Sequence, residues 1–390
     1  MKNILQDICV LTLEQAVAAP LCSCRLADGG ARVIKVERAE GDFARYYDGF
    51  ASGESSYFSW LNRGKESLVA DIKSDDDAAL LRSIVMQADV YIQNLAPGAA
   101  KRAQLGSEEM RALNPRLITV DITGYGDAAG YEHMKAYDLL IQAESGLASV
   151  TGHPAGPGRV GVSICDIACG MAAYSGVLEA LIERSQTGQG KAISISLFDA
   201  IAEWMTVPLL QYEATGQEPP RLGVAHPSIC PYGTFTSSDE RMVVISIQNE
   251  REWQRFCTDV LDTPDLPGRD GFNNNRARVA QRPKVDAFIQ TKIGAMSFAK
   301  LSARLRRAGT AYGAINPVEL LGQHPALRRV SVETPGGAVS LVAPPLVSEN
   351  MVHAYGAVPK IGQHSIEIRD EFTPHIARGP TSGTAKGQAS

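Results

Sequence analysis

The chain has 390 residues, with 44% hydrophobic and 21% charged content, which is more than one hydrophobic core usually organises, so two domains are expected. A formal net charge of -5, with both signs interspersed, offers no global attraction to a phosphodiester backbone or an anionic bilayer, so neither nucleic acid nor membrane is an expected partner. No run approaches the roughly 18 uninterrupted apolar residues of a membrane span. The opening MKNILQDICVLTLEQAVAAP carries Asp7 and Glu14 inside its apolar part and does not read as a signal peptide. Seven cysteines, odd in number and mostly among apolar neighbours, read as reduced buried thiols, which points to a cytoplasmic protein.

In chain order, ICVLTL (8–13) predicts a strand, 18–28 a helix and ARVIKVE (31–37) a second strand. SLVADI (67–72), a helix near 75–87, ADVYIQN (88–94), a helix near 107–112 and LITVDIT (117–123) continue the rhythm of a parallel sheet with helices on both faces. After AYDLLIQAESGLASVTG, a Gly/Pro turn (152–158) leads to RVGVSIC and a long amphipathic helix over 167–186, with Asp166 just before it. GKAISISLFDAIAEW (190–204) reads as one more strand and helix, and the Pro/Gly-rich stretch 215–233 as a linker. A hairpin over 232–247, with helices at 249–260, 275–292 and 297–308, predicts a smaller α+β domain over about 225–320. The expected division is 1–215 for a large domain, 216–320 for linker and small domain, 321–374 for a C-terminal return to the large domain, and 375–390 for a disordered tail.

Three simple motifs lead nowhere. Cys22-Ser-Cys24 lacks a second Cys/His pair to complete a zinc site, so no metal is expected. Ala27-Asp28-Gly29-Gly30-Ala31 lacks the G-x-G-x-x-G order of a dinucleotide site. The seven histidines pair with no Ser or Cys nucleophile at a usable spacing, and there is no G-x-S-x-G elbow. The segment Val162-Ser163-Ile164-Cys165-Asp166-Ile167-Ala168-Cys169-Gly170 is more informative, because it places a carboxylate where a strand or loop hands over to a helix. Read alone, Asp166 is an ordinary helix N-cap. That location would also keep it ionised and nucleophilic, and the small Ala168, Cys169 and Gly170 would leave room for a ligand.

Taken together, EQAVAAP (14–20), VIKVERAEGD (33–42), NRGKESLVADIK (62–73), QNLAPGAAKR (93–102), GYG (124–126), KAYD (135–138), SICDIACG (163–170) and TGQGKAISISLFDA (187–200) resemble the family III CoA-transferases. The match runs in order over nearly the whole chain and reappears in HPSICPYGTF (226–235), HPALRRV (324–330) and GQHS (362–365). The resemblance implies an α/β fold: a Rossmann-like large domain with a parallel sheet, a smaller α+β domain, and an interlocked homodimer. It implies that Asp166 is the nucleophile, and that Gln15 and Ala16 lie beside the thioester. By the same resemblance Arg38, Ala70, Asp71, Ile72, Lys73, Asn94, Leu95, Ala96, Arg102, Lys135, Ala136, Tyr137 and Asp138 line coenzyme A. The implied partners are an acyl-CoA and a small carboxylic acid, with coenzyme A a substrate moiety rather than a tightly bound cofactor, and no metal.

A carboxylate nucleophile suits this chemistry, because attack on a thioester gives a mixed anhydride that retains the thioester's activation, whereas a serine would give a much less activated ester. Backbone N–H groups at the start of the 167–184 helix are candidate oxyanion donors. Related α-methylacyl-CoA racemases carry a histidine where this chain has Tyr137, and a phenol with an ordinary pKa of about 10 is a poor base near neutral pH. A transferase is therefore favoured over the alternatives, an acyl-CoA racemase or epimerase working by α-proton exchange and a catalytically inactive CoA-binding protein. HPSICPYG and KAYDLLIQAESGL look most like members that handle short dicarboxylates of the succinate, mesaconate, itaconate or citramalate type.

Overall fold

The computed structural model describes residues 3–131, 133–347, 349 and 355–373; the tail expected over 375–390 lies outside the described residues. Six strands, β1 (Cys9–Leu13), β2 (Arg32–Glu37), β3 (Lys65–Val69), β4 (Val90–Gln93), β5 (Ile118–Thr123) and β6 (Ala192–Ser196), form one parallel sheet in the order β3-β2-β1-β4-β5-β6. The apolar runs of β1 to β5 are buried, as a sheet covered on both faces requires, while β6 alternates exposed and half-buried residues. Strand order reverses between β1 and β4, and in such sheets the crevice beyond the carboxyl ends at that reversal is where ligands bind.

The helices α1 (Ala18–Asp28), α2 (Asp75–Val85), α3 (Ala99–Arg102), α4 (Ser107–Leu113), α5 (Asp138–Glu144) and α6 (Ile164–Thr187) follow in chain order. At 24 residues α6 is long and apolar enough to cross a bilayer, yet it packs on α1, β5 and β6. The edge of the sheet at β3 is covered by the GQHS segment: His364 Nδ1 accepts from the Ser67 N–H at 3.1 Å and Ser365 Oγ from the Val69 N–H at 3.0 Å. That pairing occupies an edge that would otherwise template association.

Two compact units emerge: residues 1–141, 163–201 and 329–390 form the first, and 142–162 with 202–328 the second. These bounds differ from the expected ones, since 142–162 and 202–215 group with the second unit rather than the first. The second unit contains a three-stranded antiparallel sheet in which Tyr232–Thr236 and Met242–Ser246 form the expected hairpin, and Ala311–Ala314 adds a strand not anticipated. Its core is centred on Trp253, Phe256, Leu301 and Leu305. The helix expected over 275–292 is two, Asn275–Ala280 and Arg282–Ile293, because Pro283 has no N–H to continue the first but fits the opening turn of the second.

Candidate active site

Most of the residues singled out from the sequence sit just past the carboxyl ends of the parallel strands. At the reversal of strand order, the loop after β1 is stapled to the loop after β4: the Gln15 N–H donates to Asn94 Oδ1 at 2.9 Å and Asn94 Nδ2 donates to the Gln15 carbonyl at 2.9 Å. Ala16 is held at a φ of 63°, a left-handed conformation that costs a residue with a Cβ, and its N–H donates to Asp42 Oδ1 at 3.3 Å.

Asp42 belongs to a buried charge network not anticipated from the sequence. Lys35 Nζ lies 2.8 Å from Asp42 Oδ2 and 3.5 Å from Glu14 Oε1, while Lys65 Nζ lies 2.6 Å from Glu14 Oε1. Burial works to strip the Lys35 proton, but Asp42, Glu14 and Glu37 reverse this and raise its pKa. Burial likewise opposes ionisation of Glu14, and Lys65 with Lys35 more than offsets it, lowering the carboxyl's pKa. A lysine in the middle of the buried run RVIKVE was the available signal, since such a charge persists only when paired.

Asp166 lies inside the first turn of α6, not before it. The helix begins at Ile164 after Ser163, whose side chain makes no capping bond. Asp138, from the start of α5, caps α6 instead: its Oδ1 accepts from the Cys165 N–H at 2.8 Å and the Asp166 N–H at 3.4 Å. The Ile167 N–H donates to the Ser163 carbonyl at 2.9 Å. The amides expected to serve an oxyanion are therefore engaged. Among the described residues, no hydrogen bond or ion pair engages the half-buried Asp166 carboxylate. Burial, and secondarily the charge of Asp138, push it up from 3.8 to about 7, opposite to the low value expected of a helix N-cap.

Ala168, Cys169 and Gly170 are buried and leave room for a helix rather than for a ligand. A Cβ on Gly170 would sit 2.5 Å from the Ala18 carbonyl oxygen, so the glycine permits α6 to lie directly on α1. Ile167 packs against the buried cluster of Val17, Leu21 and Leu61, on which Ala16, Tyr57 and Trp60 also pack, so the first turn of α6 and the stapled loop share one apolar cluster. Beside it stands an aromatic group absent from the sequence reading: Tyr47 meets Tyr57 edge-on at 5.4 Å and Phe43 at 5.8 Å. Burial and the charges of Asp42 and Asp166 raise the Tyr47 phenol to about 12.

Lys73, Ile72 and Arg102 share a cavity of about 450 Å³ with Ser74, Asp75 and Arg82. Among the described residues, none of its three cations has a carboxylate partner, and Arg82 was not singled out from the sequence. The other expected contacts are dispersed. Ala70 is buried in the sheet core, and Leu95 packs against it. Asp71 accepts from the Lys73 N–H at 3.0 Å within its own turn. Arg38 is exposed and pairs with Glu40 at 3.5 Å, while Ala96 is exposed on its loop. Lys135 and Tyr137 are exposed; between them Ala136 approaches so closely that a Cβ on Gly124 would lie 2.2 Å from its own, which accounts for the glycine opening GYG.

The family model for CoA-transferase family III matches residues 5–365. The chain belongs to that family. Acetyl-CoA:oxalate CoA-transferase of Acetobacter aceti is 31% identical over 382 residues, covering 97% of this chain and 98% of that protein. Succinate–glutarate CoA-transferase of Agrobacterium fabrum is 32% identical over 386 residues, covering 95% and 96%. The crystal structure of a CaiB/BaiF family protein from Brucella suis superposes with a TM-score of 0.81 at 31% identity, covering 95% of this chain and 100% of that one. As a family III member the chain is an acyl-CoA:carboxylate CoA-transferase.

Proposed function

We propose that Asp166 is the covalent nucleophile of CoA transfer. The observation that carries this is a carboxylate at the head of α6 to which no described residue donates a hydrogen bond, next to Ile167, which packs on the same apolar cluster as Ala16 of the stapled loop at the reversal of strand order. One Asp166 oxygen attacks the thioester carbonyl carbon; a C–O bond forms, the C–S bond breaks, and CoA departs as thiolate. The thiolate attacks the aspartyl carbonyl of the resulting anhydride, releasing the donor acid as carboxylate and leaving an aspartyl-CoA thioester. The acceptor carboxylate attacks that thioester and expels CoA thiolate again, and the thiolate then takes the acyl group and restores Asp166. The Ser163 and Ile164 N–H groups at the mouth of α6, which meet no acceptor among the described residues, and the start of α1, which has no side-chain cap, supply the neighbouring N–H groups for the oxyanions.

The cavity of Lys73, Arg82 and Arg102 takes the phosphorylated end of coenzyme A, a several-fold negative group that requires such cations on an acidic protein. Coenzyme A serves as a substrate moiety and no metal takes part. Short dicarboxylates are the substrate class, supported by relatives named for oxalate, succinate and glutarate. The enzyme works in the cytoplasm as a homodimer. In the test, Asp166→Ala abolishes transfer while CoA binding persists, and hydroxylamine or borohydride trapping after incubation with succinyl-CoA labels Asp166 in wild type. Full activity in Asp166→Ala ends the proposal, and α-proton exchange in deuterated water without transfer favours a racemase instead.

A further inference from the structure

A residue with a Cβ stays in the left-handed region only where its surroundings hold it there, and Ala16, at a φ of 63°, makes the turn by which the loop after β1 enters α1. Its side chain has no polar atom to offset the strain locally. The hold comes from outside. The peptide group joining Gln15 to Ala16 is gripped at both ends: its carbonyl accepts from Asn94 Nδ2 at 2.9 Å, and its N–H donates to Asp42 Oδ1 at 3.3 Å. Beyond the turn, the N–H groups of the buried residues Val17, Ala18 and Ala19 meet no acceptor among the described residues. The dihedrals at Ala16 set the direction in which the chain carries them.

Asp42 is itself fixed. Its Oδ2 pairs with Lys35 Nζ at 2.8 Å, its Oδ1 also accepts from the Ala44 N–H at 2.9 Å, and its own N–H donates to Glu37 Oε2 at 3.0 Å. Both side chains of the Lys35–Asp42 pair are buried, so the acceptor offered to Ala16 is held by charge on one side and by backbone on the other.

We propose that Asp42 is a positioning residue of the transfer reaction: by accepting from the Ala16 N–H, it holds Ala16 in the left-handed conformation that carries the first-turn amides of α1 to the reacting carbonyl. This deepens the reading of those amides as oxyanion donors and rests on it.

Removing Asp42 alone would strand Lys35, so the ion pair is deleted in both members of a comparison. Lys35→Met leaves Glu14 with Lys65 at 2.6 Å and Glu37 with Arg45 at 2.7 Å. Combined with Asp42→Asn it retains an acceptor for the Ala16 N–H; combined with Asp42→Leu it does not, and the two double variants carry the same charge. Transfer from succinyl-CoA to glutarate is measured in each. The Asn variant keeps kcat within about threefold of wild type, while the Leu variant falls at least about tenfold below the Asn variant with KM for succinyl-CoA changed by less than about threefold. Adding Ala16→Gly, which removes the Cβ penalty of a left-handed residue, recovers about fivefold in kcat in the Leu background and nothing in the Asn background. Loss of a structural prop, through the turn at Ala44 for instance, is not repaired at residue 16. Equal kcat in the two double variants, or a Leu variant unaffected by Ala16→Gly, overturns the proposal.

Amide hydrogen exchange at Ala16 reads the same contact without activity. In wild type this amide exchanges at least about a hundredfold more slowly than an open peptide; exchange near the open rate overturns the proposal even where the variants fail to fold. Where kcat is equal in the two double variants, exchange tells which part failed. Faster exchange in the Leu variant removes the α1 amides from the reaction, and equal exchange removes Asp42 from the turn.

Discussion

At the scale of the residue, the distinctive feature is a carboxyl group of about pKa 7 at the head of a helix. Helix amides ordinarily favour an anion in the first turn, but at Asp166 two of them serve Asp138 instead and the group is desolvated beside that second carboxylate, so burial and repulsion win. The proposed attack requires the ionised form. In the free enzyme kcat/KM should therefore fall about tenfold per pH unit below pH 7 and level off above it, a profile measured with saturating acceptor. The same shift bears on stability. The folded pKa lies above the unfolded 3.8, so ionisation costs the native state nothing below about pH 4, increasingly between pH 4 and 7, and fully above pH 7. Asp166→Asn should accordingly raise stability by on the order of a few kcal/mol at pH 8, with the gain fading by pH 4, as read by thermal melts across that range.

At the scale of the element, loops after parallel strands converge, but they serve different ends. The loops after β1 and β4 are locked to each other by Asn94 and anchored to Asp42, which itself belongs to the buried Lys35–Glu14–Lys65 network. Removing one partner of such a network strands a buried charge, at a cost of about 3–5 kcal/mol, so its place beside the strained Ala16 favours a fixed loop over a mobile one. The loop after β3, helix α2 and helix α3 contribute Lys73, Arg82 and Arg102 respectively to one cavity. In the proposed complex these cations hold a part of the substrate remote from the reacting carbonyl. Lys73→Ala, Arg82→Ala and Arg102→Ala should each raise KM for acyl-CoA several-fold with less effect on kcat, and the loss should be smaller with an acyl-pantetheine donor that lacks the phosphates; an unchanged KM in all three would remove the cavity from the coenzyme A site.

At the scale of the whole molecule, the chain leaves its first compact unit after 141 and again after 201, returning at 163 and at 329. The helix Thr206–Thr215 buries none of its residues, and Trp204, Val207, Leu209 and Leu210 are each more than half exposed. A contiguous apolar run of that kind is a surface for association. Light scattering should therefore give twice the 41.8 kDa chain mass, and charged substitutions at Val207 and Leu210 should lower it; a monomeric wild type would contradict the proposed homodimer.

The alternation of apolar runs with turn residues was enough to place five strands to within three residues, α1 at its observed bounds and a sixth strand within 190–204, because strands of a covered sheet are near-continuously apolar whatever their partners. The motif blocks also placed Asp166 at a helix terminus, since helix starts are written locally. Which groups meet at that terminus was not local. The cap comes from Asp138, 27 residues before Cys165, Gly170 serves α1 rather than a ligand, and Arg82 joins Lys73 and Arg102 only because α2 and α3 line the same cavity. Capping, burial and charge repulsion are properties of atoms brought together through space. Sequence therefore supplied the carboxylate, and tertiary structure decided its burial, its raised pKa and its neighbours.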